Sequence, residues 1–305
     1  MQLLFYLLIY PLIFIVSILP FRLIYLLSDL LYFFIYHIFG YRKETVRSNL
    51  ALAFPEKTVN ERKNIEKAFY KHFSDLFLEM IKAYRMSSNQ MAKRLIFKNV
   101  EVLNEISNRN QNIILVGGHY GNWEWVFYLA QLTVAQPIGT YLKINNKYFE
   151  KFTLKNRKRF GGELIETKQL RKTLKKYAKE NKLFLLGLLA DQSPQLHRSR
   201  YWRKFLGVLV PVFVGPEELA KKYNAAMVFM KVKKLKRGYY EAEFIEITKD
   251  PNQYPDYELT DRYLELMEKQ IREKPEYYLW THKRFKHKDR LHEIEKSLKP
   301  RVKKE

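Results

Sequence analysis

His119 and Glu124 are the residues whose types and spacing best suit catalysis, because they occupy a polar turn after an apolar run and a glycine pair. The run, Asn112–Val116, is typical of a buried strand, and α/β enzymes place reactive groups at strand-to-helix turns. The two residues are five positions apart, so on one continuous helix they would lie on different faces. They can meet only if His119 lies at or before the helix start, and the nearby glycines give the backbone that freedom.

This arrangement predicts general-base chemistry. A hydrogen bond from the imidazole of His119 to the Glu124 carboxylate would fix the tautomer and make the second ring nitrogen a better base. The turn contains no serine or cysteine, so the attacking group is expected to be a hydroxyl of the substrate. The pattern therefore predicts acyl transfer between two substrates without an acyl-enzyme. The alternative is a capping pair at a loop, which the glycine-flanked turn disfavours.

Composition limits the possible classes of site and partner. The chain has 305 residues, no cysteine and a formal charge of +23. Disulfides, thiolate nucleophiles and cysteine-based metal sites are therefore excluded. His-x4-Glu is also not the helical zinc pattern, so no metal is expected. The charge predicts an anionic partner: nucleic acid, an acidic protein or a membrane surface. Many of the 22 Tyr and 21 Phe lie in the first forty residues, where cations are few, which argues against nucleic acid.

The N-terminus is typical of a membrane anchor. Met1–Phe21 contains no charged side chain, and about 20 apolar residues suffice to cross the hydrocarbon layer as a helix. No signal-peptide features are visible, so the segment is expected to be retained. Leu23–Gly40 contains Asp29 and His37 and is expected to lie at the interface, with a second span as the alternative. The first cations follow the anchor and place the remaining chain in the cytoplasm: Arg22, Arg42, Lys43 and Arg47.

The chain after the anchor has the pattern of an α/β domain. An amphipathic helix after Pro55 is followed by strand-like runs at Asn112–Val116, Leu183–Leu189, Val208–Val214, Ala226–Val232 and Tyr240–Ile247. Helical stretches are expected near Tyr148–Arg159, Leu170–Glu180, Pro216–Lys222 and Asp261–Glu273. We therefore predict a mixed central sheet flanked by helices, with an anchor and interfacial helix at 1–40 and a catalytic domain at 41–305. The charged C-terminal stretch from His282 is expected to be a surface helix or a frayed tail.

Several short blocks stand out by their order and spacing: Gly117-Gly-His119-Tyr-Gly-Asn122-Trp123-Glu124, Arg47-Ser-Asn-Leu, Ala53-Phe-Pro55, Ala190-Asp191-Gln192, Phe205-Leu-Gly207 and Pro275–Phe285. Together they resemble the late acyltransferases of lipid A biosynthesis, within the wider lysophospholipid acyltransferase-like superfamily. The resemblance implies a glycerolipid acyltransferase-like fold, the bacterial inner membrane and no cofactor. It also implies an acyl carrier protein thioester as donor and a phosphorylated, glucosamine-based lipid A precursor as acceptor.

One stretch departs from this family. Where its members often carry Arg-Pro-Asn, this chain has Tyr141–Asn146. The departure leaves open another glycolipid or an aminolipid as acceptor.

Further candidates surround the histidine turn. By resemblance, Arg157 or Arg159 binds phosphate or stabilises the oxyanion together with backbone amides of the glycine turn, although a solvated helix end is an equal alternative. Asp191 follows an apolar strand and could orient substrate or pair with an arginine, with a turn cap as the alternative. Asn122 and Trp123 are expected to contact substrate.

A basic loop completes the list of candidates. It includes Arg198, Arg200, Arg203 and Lys204, and it suits a phosphate-rich headgroup or an acidic carrier protein, although a membrane-surface patch would look the same. His282 and Arg284 resemble the C-terminal block of the family, but a structural role is the first expectation. The rival interpretation of the whole chain is a non-catalytic basic protein that binds anionic lipid or nucleic acid.

Overall fold

The computed structural model describes residues 2–293 and 301–302, with side chains of Gln2–Phe5, Leu8, Arg301 and Val302 left aside. Within these ranges the α-helices are Gln2–Ile18 (α1), Phe21–Tyr32 (α2), Lys43–Ala53 (α3), Val59–Ala83 (α4), Ser88–Ala92 (α5), Glu101–Asn108 (α6), Lys147–Lys158 (α7), Leu170–Lys179 (α8), Gly215–Tyr223 (α9) and Glu258–Glu273 (α10). A π-helical segment, Phe33–Ile38, extends α2. Short 3-10 helices occupy Trp125–Gln131, Thr167–Gln169, Leu196–Arg198, Pro251–Gln253 and Pro275–Tyr277.

The strands form one large mixed sheet and one small sheet. They are Leu95–Phe97 (β1), Ile113–Gly117 (β2), Gln136–Tyr141 (β3), Glu163–Glu166 (β4), Phe184–Leu189 (β5), Tyr201–Phe205 (β6), Val208–Pro211 (β7), Ala226–Lys236 (β8), Tyr239–Thr248 (β9) and Arg301–Val302 (β10). The described large sheet has seven strands in the order β1-β9-β8-β2-β5-β3-β4, and only the β8–β9 pair is antiparallel. The small sheet has the order β10-β6-β7. The predicted α/β class, with a mixed sheet between helices, is confirmed.

The position of the site follows from the pairing of β2 with β5. Both strands are apolar, and they run parallel at the centre of the sheet with Gly117 opposite Leu189. Residues that follow the carboxyl ends of adjacent parallel strands lie side by side at one edge of a sheet. His119 and Asp191 each come two positions after these paired residues, so the sheet brings them together.

The long helix α4 supports this edge with polar groups as well as with its apolar stripe. It begins in a capping box between Thr58 and Glu61. Near its end the fully buried Glu79 accepts hydrogen bonds from Asn122 Nδ2 at 2.8 Å, Tyr240 OH at 2.8 Å and Tyr25 OH at 3.1 Å. A buried carboxylate is tolerated only when its oxygens are paired in this way. Glu79 therefore connects the histidine turn, β9 and α2.

The N-terminal apolar region forms two helices, so the predicted span over Met1–Phe21 is not one continuous helix. α1 ends at Ile18, because Pro20 disfavours helical geometry at the residue before it. Phe21–Ile38 is the one candidate by length and apolar composition to cross a membrane in the described part of the chain. The better candidate anchor is thus the segment that sequence alone assigns to the interface. Met1 lies outside the described residues.

Two further predictions about local structure are wrong. The basic stretch expected as a loop contains β6, and its Arg203 is buried because Asp261 and Glu268 on α10 supply counter-charges. The C-terminal stretch that begins at His282 starts inside the fold, where Arg284 is 1% exposed and packs over the ring of Phe205. The remaining tail, 294–300 and 303–305, lies outside the described residues.

Candidate active site

His119 and Asp191 form a hydrogen-bonded pair at the carboxyl edge of the sheet. The imidazole Nδ1 lies 2.8 Å from Asp191 Oδ1, and the backbone amide of His119 donates to Asp191 Oδ2 at 3.1 Å. The carboxylate is 1% exposed and the histidine side chain 20% exposed. Because an ionised carboxylate can only accept, Nδ1 carries the proton of the neutral imidazole, and Nε2 then keeps its lone pair. This leaves Nε2 as the basic atom at the surface of the site.

The predicted bond between Glu124 and His119 is not the one that forms. Glu124 precedes the 3-10 helix and makes a bidentate ion pair with Arg157 on α7, with Arg157 Nε 3.0 Å from Oε2 and Nη2 2.5 Å from Oε1. Asp191 takes its place because β2 and β5 bring that carboxylate directly beside the ring. Asp191 therefore binds neither arginine, contrary to one of our expectations. Glu124 remains at the site as the residue that positions Arg157.

The electrostatics of the pair favour a charged imidazole next to a charged carboxylate. Burial lowers the pKa of His119. The charge and hydrogen bond of Asp191, with a smaller contribution from the charge of Glu124, outweigh this effect, so the pKa lies above 6.5. Burial raises the pKa of Asp191, whereas the His119 charge and its hydrogen bonds lower it below 3.8. Asp191 is consequently ionised at neutral pH and supports positive charge on the ring.

An apolar cavity of about 530 Å³ begins at this pair. It extends back along one face of the sheet from Gly117 and Leu189 towards Leu115, Leu185 and Pro137. The polar groups at its reactive end are His119, Glu124, Arg157 and Gln192, with the ring of Trp123 set edge-on to the imidazole at 5.3 Å between centroids. Its size falls within the range of small-molecule sites, and its lining suits a hydrocarbon chain.

Comparison with known proteins agrees with this geometry. A family model described as bacterial lipid A biosynthesis acyltransferase matches residues 2–287. The chain belongs to this family. It is similar to the lipid A biosynthesis palmitoleoyltransferase of Escherichia coli K12, with 26% identity over 251 residues, which cover 80% of this chain and 79% of that protein. A lipid A biosynthesis acyltransferase of Shigella flexneri matches with the same identity and coverage. The chain is accordingly an acyltransferase.

This acyltransferase also uses a residue to which sequence reasoning gave no role. The amide nitrogen of Gln192 lies 3.3 Å from His119 Nε2 and lines the cavity. The same nitrogen lies 3.4 Å from His119 Nδ1, so the Gln192 amide sits against the imidazole, beside the path by which a substrate hydroxyl would reach Nε2. In the sequence, the sign that Gln192 belongs to the site is its position directly after Asp191, at the end of an apolar strand.

The glycines of the turn have different roles in the acyltransferase. Gly121 has a φ of +61°, which only glycine adopts readily, and the amide of Gly121 donates to Tyr277 O at 3.0 Å. A Cβ on Gly118 would lie 2.2 Å from Cε of the buried Met267, so a side chain at this position would require the end of that methionine to move. The amides of His119 and Tyr120 also donate within the protein, which corrects the expectation that these turn amides form an oxyanion hole.

Several predicted substrate contacts lie elsewhere in the acyltransferase. Asn122 is fully buried and bonds to Glu79, so it holds the turn from behind. Arg159 donates to Ala83 O on α4, away from the lining of the cavity. Burial and then the Arg284 charge lower the pKa of His282 to about 4. The four basic candidates at 198–204 do not line the cavity. Arg198 and Lys204 are exposed, Arg200 pairs with Glu218, and Arg203 is buried.

The described residues contain no group of three or more His, Asp or Glu side chains placed to hold a metal ion.

Proposed function

We propose that this acyltransferase moves a fatty acyl chain from a thioester to a hydroxyl of a lipid A precursor, with His119 as general base. The observation that carries the proposal is the position of His119 Nε2. It lies at the mouth of an apolar cavity, in a ring fixed by the buried Asp191 carboxylate. A base at the reactive end of a hydrocarbon-lined cavity suits transfer of an acyl group.

The reaction follows from the atoms present. His119 Nε2 removes the proton of the acceptor hydroxyl as that oxygen attacks the thioester carbonyl. Collapse of the tetrahedral intermediate then breaks the carbon–sulfur bond. The thiolate is a good leaving group because thiols ionise readily, so protonation by a strong acid is not required. Asp191 stabilises the imidazolium formed in the first step.

Arg157 is the best candidate for stabilising the oxyanion. It lines the cavity near His119, and the bidentate pair with Glu124 fixes its guanidinium in one orientation. Preorganised donors of this kind stabilise developing charge without reorganisation during the reaction. Glu124 would then act through Arg157 and by its charge on the imidazole.

The proposed donor is an acyl carrier protein carrying a long chain. The net charge of +23 would attract a small acidic carrier protein, and the apolar cavity extends well beyond the thioester position. The Escherichia coli relative is a palmitoleoyltransferase, which is consistent with a long-chain donor. The basic stretch at 198–204 is not the preferred docking surface, because Arg203 is buried.

The acceptor and location are proposed on the same basis. The family acts in lipid A biosynthesis, so a phosphorylated lipid A precursor is the proposed acceptor. Residues 1–40 would associate with the bacterial inner membrane and 41–305 would form the catalytic domain on its cytoplasmic side. The apolar helix Phe21–Ile38 supports membrane association.

Mass spectrometry of total lipid from cells with and without the gene is the direct test. We expect the gene to add one long acyl chain to a lipid A species, and His119→Ala to abolish the addition. A chain on a different glycolipid or aminolipid would reassign the acceptor. Unchanged lipids in a strain with folded, abundant protein would support the non-catalytic rival.

The pKa shift of His119 predicts the pH dependence of transfer. The base must be neutral, so kcat/KM should fall as the pH falls through a pKa above 6.5. Asp191→Asn removes the charge that raises this pKa and should move the acidic limb to lower pH, with a lower plateau. The measurement is a kcat/KM profile from pH 5 to 9. An unmoved limb would assign the titration to another group.

A further inference from the structure

The outer wall of the cavity is a helix with three distinct faces. At 100° per residue, the positions of α7 divide into sets about 120° apart. One set lines the cavity: Glu150, Thr153, Leu154 and Arg157. A second is exposed to solvent: Lys147, Lys151, Lys155 and Lys158. The third is aromatic: Tyr148, Phe149 and Phe152. No residue of α7 is buried, so core packing does not hold this wall in place.

The aromatic face of α7 rests on α1. Tyr6 stacks on Tyr148 with 5.3 Å between ring centroids and meets Phe149 edge-on at 5.7 Å. Tyr10 meets Phe152 edge-on at 6.2 Å. These contacts lie in the N-terminal two-thirds of α7. The rest of α7 is held independently of α1, by the ion pair of Arg157 with Glu124, by a hydrogen bond from Asn156 Nδ2 to Met80 O at 3.4 Å and by Phe152, whose ring also lies 4.7 Å from that of Tyr84.

α1 is itself fixed to the catalytic domain and can therefore support α7. Lys82 Nζ on α4 donates to Ser17 O in the last turn of α1 at 2.8 Å, where a cation also interacts favourably with the helix dipole. The guanidinium of Arg85 lies 4.9 Å from the centre of the Phe14 ring. Leu7, Leu12, Ile15 and Ile18 of α1 are exposed.

We propose that α1 supports the acyl-binding site from outside the cavity and that Tyr6 and Tyr10 are positioning residues. They hold the N-terminal part of α7 against the cavity, so that Thr153 and Leu154 stay in contact with the acyl chain. The inference rests on the proposed function for the identity of the chain. Loss of the two rings loosens the N-terminal part of the wall, around Tyr148 and Phe149, but leaves Arg157 and the His119–Asp191 pair in place. Binding of long donors weakens, and the chemical step does not.

The test compares two double variants of the same helix in the full chain. Tyr6→Ala/Tyr10→Ala removes the rings that face α7, whereas Leu7→Ala/Leu12→Ala removes two exposed apolar side chains. Hydrogen–deuterium exchange of 147–158 should rise in the tyrosine variant alone. The KM for a long-chain thioester should rise about tenfold, the loss expected from two aromatic contacts, with kcat and the pH profile unchanged. Tyr6→Phe/Tyr10→Phe should restore both readouts.

The outcomes separate this inference from the proposed function. Both variants should remain in the membrane fraction. If exchange in 147–158 and the KM are the same in the tyrosine variant as in the wild type, the positioning role is wrong while the acyltransferase mechanism stands. Equal effects from the leucine variant would also overturn it. If no thioester is consumed by any variant, the proposed function fails, and the exchange measurement alone decides whether α1 supports α7.

Discussion

His119→Ala should leave the protein folded and membrane-associated and reduce acyl transfer by about 10²–10⁴-fold. His119 follows β2 rather than forming part of it, and its side chain is 20% exposed, so removal leaves no large cavity in the core. The substitution removes Nε2 of His119. Within the described residues, this is the only ring nitrogen that Asp191 orients at the mouth of the cavity. The measurement is initial rate with a long-chain thioester and acceptor, alongside a thermal melt.

A matched control is available in His197→Ala, because His197 is exposed in the stretch before β6. That variant should retain the wild-type rate. Glu124→Ala should also lower the rate of acyl transfer. The sequence alone suggests that this substitution releases the imidazole, whereas in the structure it releases Arg157. Retention of full activity by a folded His119→Ala protein would exclude general-base catalysis by this residue.

Gly187→Leu should change which donors the enzyme accepts. Gly187 lies in the middle of β5, opposite Leu115 on one side and Gly139 on the other, and it lines the cavity between the catalytic end and the deeper Leu185. A Cβ there would meet only Ile138 O within 4 Å, at 3.7 Å, so the position has room for a side chain. A leucine would fill the cavity part-way along its length and exclude the far part of a long chain.

We expect kcat/KM for long-chain thioesters to fall about ten- to hundredfold in Gly187→Leu, as overpacking typically costs 1–3 kcal/mol. Short-chain thioesters should react at the wild-type rate, because the His119 end is unchanged. Gly187→Ala controls for the backbone and should have a small effect. An equal fall for short and long donors would mean that the chain does not occupy this cavity.

The sequence identified most of the central sheet because its strands are continuous apolar runs. β2, β5, β8 and β9 all start within two residues of prediction, as do α8, α9 and α7. The shorter strands β1, β3 and β4 were missed: they are three to six residues long, and Gly139 interrupts the apolar pattern of β3. Periodicity is weak over such lengths.

The sequence located the candidate site but did not identify which carboxylate pairs with His119. Both His119 and Asp191 stood out, yet their pairing depends on β2 lying beside β5, and nothing in the local sequence encodes that adjacency. Proximity along the chain pointed instead to Glu124. Arg203 was misassigned for a similar reason, because the counter-charges that permit its burial lie on α10, more than fifty positions later.

The hydrogen bonds and ion pairs between α2 and the catalytic domain affect how the chain folds. Ser28 Oγ donates to the buried Asp75 at 2.7 Å, Tyr25 donates to Glu79, and Arg237 bridges Asp29 and Asp75. A chain that began after residue 38 would remove one donor from each buried carboxylate, Ser28 from Asp75 and Tyr25 from Glu79, and a buried acceptor that loses a partner destabilises a fold. We therefore expect the folding of α2 and the folding of the catalytic domain to depend on each other.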